Sequence, residues 1–121
     1  MSKRILVVED QEENRQILRD LFSMAGNEII EAEDGVAAIA AAEQYRPDLI
    51  LMDIQLPVMD GYEATRRIKA NPDLRSIPIV MVTSYALSGD EEKALACGAD
   101  SYVAKPFSPL ELLAKINAYL K

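Results

Sequence analysis

The chain contains no histidine and no tryptophan, and it has a single cysteine, Cys97. Without histidine, the protein cannot use imidazole as a general acid or base, build a Ser-His-Asp triad or hold zinc through imidazole ligands. It also cannot carry a phosphoryl group on a histidine of its own. Any chemistry must therefore depend on carboxylates, hydroxyl groups and lysine.

A single cysteine excludes an internal disulfide and fits a reducing compartment. We interpret Cys97 as a small hydrophobic residue near a helix end. No apolar run approaches the roughly 20 residues of a membrane span. The apolar part of the N-terminus, residues 5–8, is too short for a secretion signal. These features predict a soluble, cytoplasmic protein.

The net charge of −7 argues against two classes of partner. Nucleic-acid binding needs a basic patch for the phosphates, and an anionic membrane surface would repel an acidic chain. We therefore expect no nucleic acid and no membrane among its partners. The 121 residues, half of them hydrophobic, predict one domain over residues 1–121 with a sizeable core.

Five segments with a strand pattern alternate with five segments with a helix pattern. The strands are predicted at residues 4–9, 28–32, 49–53, 77–82 and 101–104, and the helices at about 12–25, 35–45, 60–70, 88–97 and 108–121. Alternation with short connections is typical of parallel strands joined by right-handed crossovers. The predicted fold class is α/β, a doubly wound five-stranded parallel sheet with helices on both faces.

Local signals mark the ends and inner faces of these helices. Capping residues are expected at four helix starts, namely Asp34, Asp60 with Glu63, Ser88 to Glu91, and Ser108 with Glu111. The apolar residues at helical spacing are Ile17, Leu18, Leu21 and Phe22 in the first helix and Leu110, Leu113, Ile116 and Leu120 in the last. Those of the last helix are expected to face the core.

The apolar run at residues 49–52 predicts a strand buried on both faces, and it ends on the carboxylate of Asp53. Ligands of open α/β sheets bind just outside the carboxyl ends of the strands. Other predicted strands also end on polar residues: the first on Glu9 and Asp10, the fourth on Thr83 and the fifth on Lys105. Because these ends share one edge of a parallel sheet, we expect three carboxylates, one hydroxyl and one ammonium group to converge there.

Each of these residues alone has a plainer interpretation. Asp53 could start a turn, Glu9 and Asp10 could cap the next helix, Thr83 could end a strand and Lys105 could be a surface lysine. Together, three close carboxylates repel one another, and a hard divalent cation such as Mg²⁺ or Mn²⁺ relieves the repulsion. Lys105 and Thr83 could then clamp a phosphoryl group, with Asp53 as its nucleophile.

Five segments of the chain match a known family, at residues 5–10, 49–57, 59–61, 82–84 and 104–106. On these segments, the chain resembles the receiver domain of two-component response regulators over its whole length. The resemblance implies the flavodoxin-like strand order 2-1-3-4-5. It also implies that the protein takes a phosphoryl group from a phosphohistidine on a histidine kinase or a histidine phosphotransfer protein.

The resemblance assigns four residues to phosphoryl and metal binding. Asp53 is the implied phosphoacceptor and also a metal ligand. Asp10 is implied to bind Mg²⁺ directly, and Glu9 to contribute through a metal-bound water. The backbone carbonyl of Gln55 is implied to complete the metal shell.

The resemblance also implies which residues respond to phosphorylation. Lys105 would pair with a phosphoryl oxygen, and a cis bond to Pro106 would position it. Thr83 would move toward the phosphoryl group, and Tyr102, in the family's switch-aromatic position, would move inward with it. The alternative for Tyr102 is a half-buried strand aromatic. We also expect the bulky Tyr85 to slow water access and so lengthen the phosphorylated state.

The response is expected to reach a downstream protein target. The predicted switching face comprises residues 86–97, 101–104 and 108–121, because contacts to the new phosphoryl oxygens would bias a two-state surface. The protein would act as a monomer or as a phosphorylation-dependent dimer. It would accept a phosphoryl group without being a turnover enzyme.

Four alternatives to a stand-alone phosphoacceptor are open. The chain could be a receiver domain excised from a larger regulator or hybrid histidine kinase, although a start at Met1 favours a whole protein. It could also be a pseudo-receiver that works without phosphorylation. A flavin-binding electron carrier would need a hydroxyl- and glycine-rich loop where this chain has the acidic residues 10–13. A haloacid-dehalogenase-like phosphatase would need a second aspartate at the position of Gln55.

Overall fold

The computed structural model describes residues 3–83, 90–104 and 108–120. Five parallel strands form one sheet in the order β2-β1-β3-β4-β5, which confirms the predicted fold class and strand order. The strands are β1 (Arg4–Val8), β2 (Glu28–Ala32), β3 (Leu49–Asp53), β4 (Ile79–Thr83) and β5 (Ser101–Ala104). The helices are α1 (Glu12–Met24), α2 (Gly35–Tyr45), α3 (Gly61–Ala70), α4 (Asp90–Ala96) and α5 (Pro109–Tyr119).

Alternate residues of the three central strands face opposite sides of the sheet, as the two-residue repeat of a strand requires. One set packs with α2, α3 and α4 and consists of Leu6, Val8, Ile50, Met52, Ile79 and Met81. The other set packs with α1 and α5 and consists of Ile5, Val7, Leu49, Leu51, Val80 and Val82. Because both faces are covered, every residue of β3 is buried, whereas the four residues of the edge strand β5 are half-buried.

Three of the predicted helix caps are confirmed. The side chain of Asp34 accepts a hydrogen bond from the amide of Ala37 at 2.7 Å, and that of Asp60 accepts from Glu63 at 2.9 Å. Ser108 caps α5 in the same way. Satisfying these amides fixes where the chain turns from a loop into a helix. The predicted cap at residues 88–91 lies outside the described side chains.

The last helix buries a different leucine from the one expected. Leu112 is fully buried and Leu110 is 78% exposed, so the prediction for Leu110 was wrong. Leu112, Ile116 and Leu120 follow one another at four-residue spacing and therefore share one face of the helix. Leu110 precedes Leu112 by two residues and points to nearly the opposite side.

Two smaller differences concern the first helix and the fourth strand. Ile17 belongs to the apolar pattern of α1 but is 63% exposed, because Leu18 and Phe22 form the buried face. The strand β4 begins at Ile79 rather than at residue 77, although the carbonyl of Pro78 accepts a hydrogen bond from the amide of Ile50. In the part of the chain that the structure describes, no helix has the length and apolar character that a membrane crossing requires.

Candidate functional site

Three carboxylates meet at the carboxyl ends of β1 and β3, which are neighbours in the sheet. Glu9, Asp10 and Asp53 each place one carboxylate oxygen within 4.8 Å of the others. Glu9 and Asp53 are buried, with exposed fractions of 3% and 7%, while Asp10 is exposed to solvent. The predicted convergence of these three acids is therefore confirmed. The cluster has two buried members and one side open to water.

Asp53 is held by the strand from which it emerges. It is the last residue of β3 and lies in register with Val82 of β4. The amide of the next residue, Ile54, donates to the carbonyl of Val82 at 3.1 Å, so main-chain pairing continues past the acid. The amide of Gln55 donates to the Oδ1 atom of Asp53 at 3.2 Å. These bonds anchor the carboxylate on the most buried strand of the sheet.

The turn that follows Asp53 depends on two glycines. A Cβ added at Gly61 would lie 2.2 Å from the carbonyl oxygen of Asp53, and one added at Gly35 would lie 2.4 Å from that of Met59. Distances that short are forbidden contacts, so only glycine lets the helix starts approach this closely. The β3–α3 turn is therefore packed against α2 and α3 while it supports the acid.

The carboxylate of Glu9 is oriented by the start of α1. Its Oε2 atom accepts from the amide of Gln11 at 3.2 Å, and its Oε1 atom accepts from the side-chain amide of Asn14 at 3.3 Å. The helix cap itself is Gln11, which makes no side-chain capping bond. The N-cap position of α1 is therefore Gln11 and not Glu9 or Asp10, as the plainer interpretation expected. Sequence reasoning missed Asn14, because no pattern distinguishes it from other polar residues of an exposed first turn.

The chemistry of this cluster suits a hard cation. Its three side chains offer only carboxylate oxygens, which are the ligands that Mg²⁺ and Mn²⁺ prefer over nitrogen or sulfur. One acid is exposed, so a bound ion could keep several waters and still meet a phosphoryl oxygen, as Mg²⁺ usually does. The residues present therefore fit a magnesium ion.

Some of the other predicted site residues are described by the structure, and some are not. Gln55 lies in the turn after Asp53 with its side chain exposed. Tyr102 is half-buried in β5 and packs against the core on the side of α2, α3 and α4, which agrees with the alternative of a half-buried strand aromatic. The backbone of Thr83 ends β4 in register with Ala104, while its side chain lies outside the description. Tyr85, Lys105 and Pro106 lie outside the described residues, and their roles stay predictions.

A family model for the response regulator receiver domain matches residues 5–117 of the chain. The chain belongs to the response regulator receiver family. The polar-differentiation response regulator DivK of Brucella anthropi is 42% identical over 120 residues, which cover 99% of this chain and 98% of that protein.

Solved structures agree with this receiver assignment. The chemotaxis response regulator CheY4 of Vibrio cholerae superposes with a TM-score of 0.93 at 31% identity, covering 99% of this chain and 100% of that one. The receiver domain of a sensor histidine kinase from Pseudomonas aeruginosa gives a TM-score of 0.92 at 39% identity, with 99% and 98% covered. That structure has a magnesium ion coordinated in its active-site cleft.

Membership of the receiver family excludes two of the alternative functions considered from the sequence. This receiver domain belongs to two-component signalling, which sets aside the flavin-binding carrier and the phosphatase. Receiver domains are signalling proteins and generally not turnover enzymes. They generally interact with histidine kinases or phosphotransfer proteins and with downstream targets.

Proposed function

We propose that this receiver domain accepts a phosphoryl group on Asp53 in a magnesium-dependent reaction. The observation that carries the proposal is the placement of Asp53 at the buried end of β3, with its carboxylate beside those of Glu9 and Asp10. The magnesium ion in the cleft of the related kinase receiver domain supports the same interpretation. The phosphoryl donor would be a phosphohistidine on a histidine kinase or a histidine phosphotransfer protein.

The residues around Asp53 would bind the metal in different ways. Asp10 and Asp53 would coordinate Mg²⁺ directly, and the backbone carbonyl of Gln55 would add a third protein ligand. Glu9 would accept a hydrogen bond from a metal-bound water, which fits a carboxylate already oriented by Gln11 and Asn14. When bound, the ion would offset the negative charge of the acids and of the incoming phosphoryl group.

In the transfer itself, a carboxylate oxygen of Asp53 attacks the phosphorus of the phosphohistidine. An O–P bond forms as the P–N bond breaks in line with it, and its electron pair stays on the imidazole nitrogen. Phosphoryl transfer of this kind needs positioning and charge stabilisation more than covalent assistance. Lys105 would pair with a phosphoryl oxygen of the product, and Thr83 would donate a hydrogen bond to another.

Phosphorylation would switch a protein-binding surface. The proposed surface comprises residues 86–97, 101–104 and 108–121, with Tyr102 moving inward as Thr83 engages the phosphoryl group. Two apolar side chains support a docking role for this surface, since Leu95 is 51% exposed and Leu110 is 78% exposed. The product's additional charge and acceptor oxygens supply the differential contacts that a two-state switch requires. Output would be binding of a downstream protein, by a monomer or a phosphorylation-dependent dimer.

The test is the intact mass of the protein after incubation with Mg²⁺ and a small phosphodonor such as acetyl phosphate. The wild type should gain one phosphoryl group, and removal of Mg²⁺ with a chelator should prevent the gain. Asp53→Asn should gain none. Asp20→Asn, which changes an exposed acid on α1, is the matched control and should behave as the wild type does. Phosphorylation of Asp53→Asn, or of the wild type without a divalent cation, would contradict the proposal.

A further inference from the structure

Arg15 is a buried cation next to the proposed metal site. It lies in the first turns of α1, and only 6% of its surface is exposed. Arginine is almost never buried to this extent unless its guanidinium group is paired and hydrogen-bonded. The contacts of this group therefore indicate what holds it there.

One guanidinium nitrogen of Arg15 binds the main chain of a proposed metal-site residue. Its Nη1 atom donates to the backbone carbonyl oxygen of Glu9 at 2.8 Å. That carbonyl belongs to the peptide group that joins Glu9 to Asp10. A peptide group is planar, and its plane contains the Cα atoms of both Glu9 and Asp10. A hydrogen bond that holds the carbonyl oxygen therefore helps to orient both residues.

The remaining nitrogens of Arg15 bind acids from other elements. The Nε atom pairs with Glu31 of β2 at 3.3 Å, and the Nη2 atom pairs with Glu33, just after β2, at 3.2 Å. The Nη2 atom also donates to Glu12, one turn back on α1. A planar guanidinium with several fixed donors can make these contacts at once, which a lysine ammonium cannot do. Arg15 thus joins α1 and the β2 edge to the end of β1.

Glu9 is consequently held at two points by adjacent residues of one helix. Asn14 holds the carboxylate, while Arg15 holds the main-chain carbonyl. The second contact reaches further than the first, because the carbonyl of Glu9 belongs to the same peptide group as the amide of Asp10. Hydrogen bonds to the residues that ligate a metal set the geometry and affinity of the metal site.

We propose that Arg15 is a positioning residue for the magnesium site, and that its hydrogen bond to the Glu9 carbonyl aligns the Glu9–Asp10 peptide for metal binding. This inference rests on the proposed function, since it requires Mg²⁺ to bind at these acids. The acids that pair with Arg15 offset the cost of burying its charge, and they keep its Nη1 atom directed at the carbonyl of Glu9. Loss of Arg15 should therefore weaken metal binding by more than its effect on folding would explain.

Arg19 provides a matched control on the next turn of the same helix. It pairs with Glu31 at 2.8 Å and with Glu12 at 3.5 Å, two of the acids that Arg15 also contacts. The side chain of Arg19 is 35% exposed, and its hydrogen bonds in the described residues go to those carboxylates. Removing Arg19 therefore disturbs the ion pairs while leaving the bond to the Glu9 carbonyl in place.

The experiment compares Arg15→Met with Arg19→Met by two measurements. The dissociation constant for Mg²⁺ is obtained by following amide NMR shifts during titration, and the free energy of unfolding by urea denaturation without metal. Arg15→Met should weaken Mg²⁺ binding roughly tenfold, the lower end of the range for losing a hydrogen bond that orients a metal ligand. Arg19→Met should stay within about twofold of the wild type even if it is destabilised. Equal Mg²⁺ affinity in Arg15→Met and the wild type would overturn the inference.

A milder pair of substitutions, Arg15→Lys and Arg19→Lys, provides the test if Arg15→Met does not fold. Arg15→Lys keeps the charge but cannot bind the carbonyl and the acids together, so it should weaken Mg²⁺ binding about threefold or more while Arg19→Lys does not. Unchanged affinity in Arg15→Lys would then count against the inference. A different result would contradict the proposed function itself: a wild type that shows no Mg²⁺-dependent amide shifts at residues 9, 10 and 53.

Discussion

The carbonyl oxygen of Asp53 faces the Cα of Gly61 so closely that a Cβ at position 61 would lie 2.2 Å from it. The amide of Gly61 also donates to the carbonyl of Ile54 at 2.9 Å, so the first residue of α3 is bonded to the turn after β3. The start of α3 and the proposed phosphoacceptor therefore share one packing contact. A side chain at Gly61 cannot be accommodated without moving one of them.

Gly61→Ala should impair both folding and metal binding. Overpacking of this kind costs roughly 1–3 kcal/mol of unfolding free energy, and the displaced Asp53 should bind Mg²⁺ more weakly. Urea denaturation and an NMR titration with Mg²⁺ measure the two effects. Gly26→Ala is the control, since its φ of +89° makes alanine strained but a Cβ there meets nothing within 4 Å. It should lose stability and keep its Mg²⁺ affinity. Wild-type stability and affinity in Gly61→Ala would refute the packing argument.

Thr65→Val should leave the stability unchanged or raise it by about 1 kcal/mol. Thr65 lies in α3 with no exposed surface, and its Oγ1 atom has no hydrogen-bond partner in the described structure. A buried hydroxyl without a partner carries a desolvation cost, and valine has nearly the same shape without it. Thr65→Ala should be destabilising instead, because it leaves a cavity. A clear loss of stability in Thr65→Val, measured by urea denaturation, would mean that the hydroxyl is satisfied in solution.

Glu12→Gln should reduce stability at neutral pH and have progressively less effect in acid. The hydrogen bond from Arg15 lowers the pKa of Glu12 below its usual 4.5; desolvation opposes this, while the charges of Arg15 and Arg19 add to it. A carboxyl whose pKa is lower in the folded than in the unfolded chain stabilises the fold above the unfolded pKa. That stabilisation is lost as the pH falls through the folded pKa.

Urea midpoints of the wild type and Glu12→Gln should therefore differ at neutral pH and converge below pH 4.5. Glu13→Gln removes an adjacent exposed acid and controls for the loss of one negative charge. A gap between wild type and Glu12→Gln that persists unchanged into acid would exclude ionisation of Glu12 as its cause.

Local patterns were enough to predict the parts of the site that depend on one strand or one turn. The apolar run before Asp53 and the run before Glu9 each identify a buried strand that ends in an acid, and the parallel topology brings those ends together. The caps at Asp34 and Asp60 were equally predictable, because each bond spans only three residues.

Contacts between distant residues could not be predicted in the same way. Nothing within the sequence near Arg15 indicates that it would meet Glu31 of β2 and Glu33 just after that strand. Leu110 was wrongly assigned to the inner face of α5, because leucines at 110, 112 and 113 fit more than one helical stripe, whereas Leu113, Ile116 and Leu120 do pack on the core as predicted. Packing into the core cluster that α5 shares with α1 and the central strands selects the stripe that contains Leu112.

The contrast between the fully buried β3 and the half-buried edge strand β5 has a consequence for how the molecule opens. Amides of β3 are enclosed by pairing on both sides and by helices on both faces, so their hydrogen exchange should require unfolding of the whole chain. Amides of β5 belong to an edge strand and can exchange through small local openings. We therefore expect the proposed phosphoacceptor to lie in the slowest-exchanging part of the molecule, and Tyr102 in a part that can rearrange while the centre stays folded.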